Sequence, residues 1–539
     1  MEKGNKKESF MRNVVAIMVA QIIIKILGMV YKLYLTNREG FGDEGNAIYN
    51  AGFQIYALLL ALSSIGVPNA IAKLISERLA LNDNRGAHKI FKIAFIFFGL
   101  IGLAGTLMLF LGAKYISNVL IQIPEAEYTL MALSPSIFFV TTSSVIRGYF
   151  NGRENIKATA NSQTLEQTFK TLLTIILVEI IVMLSGTATI YMAAGANFAT
   201  TLATFLCFCY LCLYYCKNRK TIWKEIVSSK YSSKNISIRN IIKKIIGVSI
   251  PISLSSLMVA INKNVDSLTV VRGLKRFMTD SVAKMQYGIL SGKVDILVSF
   301  PLSFNIAFAT TLVPVLSALK AKQDIKNINR RISFSLLITI LIGLPFTFGI
   351  IIFSEQILNL LFPNAVAGGL TLQISAISII FTVLLQTTNG ALQGLGKVMV
   401  PAIALGCGAI IKLLINVILI PIETVGINGA AIGTVVCSIT SFLISFMVLK
   451  KNIKLKLKLS KYIIKPILAS IIMGICSYSF YIILNGIIFE KMRIILTISF
   501  AIMVYIVTLL CLQILEEEEI IMLPNGKKLF NFLKLKKIY

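Results

Sequence analysis

Lys170 and Lys412 each stand midway along an apolar segment of membrane length, and they are 242 positions apart (412 − 170). A charge at membrane depth costs roughly 2.5 kcal/mol or more, so such residues usually face a partner or a hydrated path. The surroundings recur with the charge: Arg147-Gly148-Tyr149-Phe150-Asn151-Gly152 is echoed by Asn389-Gly390-Ala391-Leu392-Gln393-Gly394 at the same offset (389 − 147 = 242). A polar element present in both halves of a membrane chain suggests two lobes with a polar path between them, the arrangement of a transporter.

Helical spacing gathers further polar residues into stripes. Gln21, Lys25, Gly28 and Lys32 step by 4, 3 and 4. Gln163, Glu166, Gln167, Lys170 and Thr174 share one face, as do Ser255, Asn262, Asp266 and Thr269. A fourth stripe runs through Ser375, Ser378, Thr382, Gln386, Asn389 and Gln393, and Lys412 is followed by Asn416. Glu166 and Lys170 are spaced to neutralise one another along a helix. The position matching Glu166 in the second half is Gly408 (408 − 166 = 242), so Lys412 reads as the barer cation. Uncharged stripes can be interhelical glue at about 1 kcal/mol or less per residue. For Lys25, Lys170, Asp266 and Lys412 the cost of a buried ion favours a hydrated cavity, and its excess of bases suits an anionic ligand.

The elements that position these residues follow from composition. The chain has 539 residues, 56% hydrophobic and only 14% charged, with mean hydropathy +0.80. Spans are expected at 11–35, 47–72, 91–113, 117–145, 158–184, 188–215, 241–271, 286–318, 333–353, 365–393, 399–421, 427–449, 463–485 and 493–514. The class is therefore an all-α polytopic membrane protein of about fourteen helices. Residues 1–215 form an amino lobe of six spans, 216–240 a basic linker, 241–449 a second lobe, and 450–539 two more spans with a tail. Both lobes start on the same side, so the repeat is parallel.

Most of the basic residues behind the net charge of +29 lie in alternate loops, and one loop, with Arg272, Lys275, Arg276 and Lys284, breaks the pattern. The balance is positive-inside, which argues against nucleic acid and places both termini in the cytoplasm. Lys3, Lys6, Lys7 and Arg12 precede a first apolar segment too long for a cleaved leader. The short acidic run at 516–519 reads as part of a solvated tail. Seven of the eight cysteines fall in expected spans and Cys216 directly follows one, with no completing ligands, and His88, the single histidine, reads as solvated in a basic loop. No Walker A sequence, metal-binding Asp-x-Asp pair or acid partner for His88 is present. No cofactor is expected, and the sequence identifies no coupling cation. A cell-wall glycosyltransferase would need catalytic carboxylates in large outer loops, which the chain lacks.

Lys25-Ile26-Leu27-Gly28, Gly42-Asp43-Glu44-Gly45 with Tyr49, and Gly66-Val67-Pro68 followed by Ala70-Ile71-Ala72-Lys73 resemble the opening of the polysaccharide-biosynthesis flippases of the stage V sporulation protein B type. Arg147-Gly148-Tyr149-Phe150-Asn151-Gly152-Arg153, with Ser162-Gln163 and Glu166-Gln167, resembles the same family. These belong with MurJ-type lipid II flippases in the multidrug/oligosaccharidyl-lipid/polysaccharide exporter superfamily. The resemblance implies two six-helix lobes around a cationic cavity, a groove at the last two helices for a polyprenyl tail, and outward flipping of lipid-linked cell-wall precursors. It places the protein in a bacterial cell membrane of Gram-positive type, alongside cell-wall synthesis proteins. A family basic position matches Lys25, and a family acidic position matches Asp43 or Glu44. Where the family has a second base the chain has Tyr31 with Lys32 beside it, and where an Arg starts the eighth helix it has Ser291-Gly292-Lys293.

The expected substrate is an undecaprenyl-pyrophosphate-linked glycan, with Lys25, Lys170 and Lys412 on the pyrophosphate, aided by Lys32 and Lys293. Glu166 and Asp266 would pair with these bases in an empty cavity or carry ion coupling. Arg147, together with Asp43 and Glu44, reads as gating, with Asp295 as a partner for Arg147. The alternative within the superfamily is a cation-coupled multidrug exporter.

Overall fold

The computed structural model describes residues 24, 26–64, 66–153, 155–228, 237–453, 458–516 and 519. Every regular element among them is helical. The chain runs through α1 (26–37), α2 (Gly42–Ser64), α3 (Gly66–Ala80), α4 (Asn84–Tyr115), α5 (Ala126–Gly152), α6 (Ile156–Ser185), α7 (Thr189–Ser228) and α8 (Ile238–Leu274). It continues with α9 (Asp280–Gly288), α10 (Asp295–Ala321), α11 (Ile325–Ile352), α12 (Ser354–Leu361), α13 (Gly369–Gly394), α14 (Met399–Leu419), α15 (Asn428–Asn452), α16 (Lys465–Ile483) and α17 (Glu490–Cys511). Helix is the expected outcome, since hydrocarbon offers the backbone no other hydrogen-bond partner.

Twelve stretches are long and apolar enough to span a membrane, thirteen with α8, which bends by 53° between Ile238–Ile250 and Ser253–Leu274. The expected first span, 11–35, lies largely outside the described residues.

Two compact units emerge. The first contains the residues up to Lys293 together with Ala409–Ala430; the second contains Val294–Gly408 and the chain from Ala431. In the first, α5 packs on α4, α7, α2 and α3, while α8 and α9 pack on α2. One of its cores joins Val67, Ile71, Phe91, Phe98, Tyr149 and Leu211. In the second, α13 packs on α10 and α11, and α16 pairs with α17 and leans on α11.

The repeat is written into local geometry. Asn82 and Gln323 both adopt φ 55°, 241 positions apart (323 − 82). Asp83 N donates to the Arg78 carbonyl and Asp324 N to that of Leu319, closing each preceding helix with a left-handed cap. Each Asp then caps the next helix, Asp83 Oδ1 accepting from Gly86 N at 2.8 Å and Asp324 Oδ1 from Asn327 N at 3.1 Å.

The hexapeptide echo proves to be a packing device. A Cβ on Gly148 would lie 2.8 Å from the Pro68 carbonyl oxygen, and one on Gly390 2.5 Å from that of Ala309. Gly152 and Gly394, one turn on, are similarly pressed against Ile75 and Leu316 at 2.9 Å. The glycine pair lets α5 reach α3 and α13 reach α10 at backbone distance, the small-xxx-small contact of membrane helices.

Three expectations change. His88 is not solvated but buried within α4, its ring against Phe91 and Tyr149. The helix before the basic linker runs past Cys216 to Ser228. The acidic run is engaged: Glu516 and Glu519 both lie 2.8 Å from Lys461 Nζ.

Candidate functional site

The face of α6 predicted from spacing is turned onto α1. Thr171 Oγ1 donates to the Leu27 carbonyl at 3.3 Å, and Gln167 lies 3.6 Å from where a Gly28 Cβ would stand. Lys25, one of the three bases expected on the pyrophosphate, lies outside the described residues.

Lys170 is 8% exposed. Its ammonium lies 4.4 Å from the ring centre of Phe53 and 5.3 Å from that of Tyr31, and it has no hydrogen bond or ion pair among the described residues. Aromatic faces attract a cation by about 2 kcal/mol when both are desolvated, without neutralising its charge. Lys32 is held in the same manner, 4.3 Å over the Tyr49 ring, while donating to Asn50 Oδ1 at 2.7 Å. Tyr31 and Tyr49 hydroxyls are 3.5 Å apart. Sequence reasoning named both lysines and missed this aromatic floor. The signal was available in the spacing Tyr49, Phe53, Tyr56 along α2.

Glu166 does not neutralise Lys170. It accepts from Arg147 Nη2 at 2.7 Å, and Arg147 also donates to Ser162 Oγ at 2.9 Å and to Cys207 Sγ at 3.1 Å. The i, i+4 pairing within α6 loses to a cross-helix partner because Arg147 is itself buried and can fork to several acceptors. A polar recess of about 190 Å³ opens here, lined by Ile24, Arg147, Gln163, Glu166 and Gln167. Asp295, the partner expected for Arg147, belongs to the first turn of α10 in the second unit.

Lys412 is not the bare cation. It is 3% exposed and lies 2.6 Å from Asp266 Oδ2, also donating to the Asn262 carbonyl at 3.2 Å. Asn416 completes the cluster with bonds to Asp266 Oδ1 at 3.0 Å and Thr269 Oγ1 at 2.9 Å. The stripes of α8 and α14 thus meet, and of Lys170 and Lys412 it is Lys170 that has no carboxylate among the described residues. Lys263, exposed on α8 beside this cluster in sequence, was not singled out by spacing.

Lys293 is fully buried in a π-helical turn, Ile289–Val294, with its ammonium 2.9 Å from both oxygens of Asp43. It is therefore the partner of a predicted gate residue, not a free donor to a ligand. α9 and this turn can approach α2 so closely because Gly288 and Gly292 face it: a Cβ on Gly288 would stand 1.7 Å from the Asp43 carbonyl oxygen. Nearby residues lock the same end. Lys284 bonds Glu125 at 2.5 Å, and Arg38 and Tyr34 both bond Glu179. Glu44 is half-buried with no ion pair among the described residues.

A desolvated ammonium such as that of Lys170 can attract an anion, and the Asp43–Lys293 and Asp266–Lys412 pairs fasten the helices that carry them. The family model described as "Polysaccharide biosynthesis protein" matches residues 10–320, more than half of the chain. The model described as "MatE" matches residues 251–418. Two Bacillus subtilis (strain 168) proteins are similar: the membrane protein YabM, 28% identical over 438 residues covering 80% of this chain and 78% of that one, and the lipid II flippase MurJ, 24% identical over 447 residues covering 80% and 81%. Among solved structures, lipid II flippase MurJ in an inward closed conformation aligns with a TM-score of 0.67 at 17% identity, over 92% of this chain and 98% of that one. An inward-facing multidrug resistance MATE family transporter aligns at 0.67 and 16%, over 82% and 98%. The chain, a multi-pass membrane protein that shares the fold of the MurJ and MATE structures, therefore belongs to the polysaccharide biosynthesis protein family.

Proposed function

We propose that the protein flips an undecaprenyl-pyrophosphate-linked cell-wall precursor, lipid II or a related lipid-linked oligosaccharide, from the inner to the outer leaflet. The observation that carries this reading is Lys170, a buried ammonium on Phe53 and Tyr31 with no carboxylate among the described residues. An ion so placed has lost hydration without gaining a counter-ion, and a diphosphate entering from the Arg147 recess would supply one. Lys32, over the Tyr49 ring, would extend the basic surface.

On this reading Asp43–Lys293 and Glu125–Lys284 close the outer end, and both termini are cytoplasmic, as the loop charges indicate. Ligand charge at Lys170 would favour rearrangement only through differential affinity for the two states. The test is complementation of a flippase-depleted bacterium, read as precursor reaching the outer leaflet. The intact gene and Lys170→Arg should restore it, and Lys170→Met should not. Failure of the intact gene overturns the lipid II assignment, and full rescue by Lys170→Met overturns the role of the cation.

A second reading is a cation-coupled multidrug-type exporter. It is favoured by the MatE match across 251–418, which contains Asp266 and Lys412. It expects export of cationic drugs that Asp266→Asn abolishes while precursor flipping is absent.

A further inference from the structure

Away from the polar residues, an apolar cavity of about 360 Å³ lies where α2, α3, α4, α5 and α8 meet, inside the first unit. Leu59, Phe98, Ile101, Ile246, Ile250 and Leu254 supply its walls. Its hydroxyls are turned inward on their own helices: Thr141 donates to the Ile137 carbonyl at 2.6 Å and Ser249 to that of Ile246 at 3.4 Å. Water therefore finds few partners here. A cavity of about 150 Å³ with such walls stays dry and takes a benzene, so this one has room for a longer apolar chain.

The cavity is not sealed. Ile101 is 47% and Ile250 58% exposed, marking an accessible mouth. The helix carrying that mouth continues into a basic face: Arg239, Lys243, Ile246 and Ile250 step by 4, 3 and 4, and both bases are exposed. Two cations thus stand about two and three turns from Ile250, toward the end of α8 that follows the basic linker. Chain and charge together specify an amphiphile with an anionic head.

The walls also span the bend. Ile246 and Ile250 belong to the first arm of α8 and Leu254 and Leu257 to the second, with Pro251 at the break. Proline removes a backbone hydrogen bond there, so the bend has a local cause but no local lock. Gly66 of α3 abuts the corner, since its Cβ would meet Ser253 Oγ at 1.8 Å.

We propose that this cavity is a binding site for one acyl chain of an anionic glycerophospholipid, with the phosphate on Arg239 and Lys243. The bound chain touches both arms and favours bent α8 over a straight one, because only the bent helix offers the cavity. The site is separate from the Lys170 floor and does not depend on what that floor carries.

The test uses the full-length protein in detergent and lipid nanodiscs, with retained lipid read by native mass spectrometry. Phosphatidylglycerol, phosphatidylcholine and undecaprenyl phosphate serve as probes. Phosphatidylglycerol should be retained over phosphatidylcholine by roughly tenfold or more, the preference that two basic side chains confer near an anionic headgroup. Leu254→Trp and, independently, Ile101→Trp should fill the space and abolish retention in monodisperse protein. Arg239→Gln with Lys243→Gln should keep binding but equalise the two phospholipids. Equal retention by the intact protein, undiminished retention in the filled variants, or displacement of phosphatidylglycerol by undecaprenyl phosphate would each overturn the proposal.

Discussion

Of the four lysines buried among the described residues, three, Lys284 among them, are paired with carboxylates and one is not, and the two fates predict different mutants. Lys293 and Lys412 are neutralised by Asp43 and Asp266, whereas Lys170 rests on aromatic rings. Removing one member of a buried pair leaves an uncompensated charge and costs about 3–5 kcal/mol. Asp266→Asn and Lys293→Met should each lower thermal stability in detergent by that order. The double variant Asp266→Leu with Lys412→Met should be more stable than Asp266→Asn, since it buries no lone ion. Lys170→Met should cost at most about 2 kcal/mol, the upper range of a desolvated cation–π contact, while eliminating transport. A Lys170→Met protein as unstable as Lys293→Met would make Lys170 structural.

At the scale of elements, the glycines carry the argument. Gly148→Ala and Gly390→Ala place a methyl against backbone oxygen at 2.8 and 2.5 Å. Each should destabilise by about 1–3 kcal/mol, the cost of overpacking. Gly349→Ala in α11, where nothing stands within 4 Å of the new Cβ, should be neutral or stabilising by about 0.5–1 kcal/mol. Thermal unfolding of the three variants checks the contrast, and equal effects would remove the packing explanation of the repeat. The tail contact has a pH sign. Hydrogen bonding to Lys461 holds the Glu516 carboxyl below its ordinary value of 4.5. A lowered folded-state pKa contributes stability above the unfolded value and loses it as pH falls through the folded one. Protection of residues 458–516 from hydrogen exchange, compared at matched intrinsic rates, should persist at pH 6 and decline below 4.5.

For the whole molecule, the loop charges predict an orientation. A phosphatase fused after Glu423 should be active and one fused after Lys451 inactive, with a carboxy-terminal fluorescent fusion bright. The reverse pattern would invert the direction of transport proposed above.

Much of this was legible in the chain itself. Apolar segments of membrane length force helices because the backbone has no other partner in hydrocarbon, and a 242-residue offset exposes the duplicated architecture. Spacing also assigned Glu166 and Lys170 to one face and Asp266 to another. Which ions pair was not legible, because partners on different helices are set by approach distance and not by sequence separation. Glu166 took Arg147 across helices in place of Lys170 one turn away, and Lys412 found Asp266 146 positions earlier. The aromatic floor under Lys170 required α2, α1 and α6 to be brought together in space. The sequence determined that there are buried cations in a helical membrane protein; the tertiary structure decided which of them is left without a carboxylate among the described residues, because only packing determines where each charge loses its water.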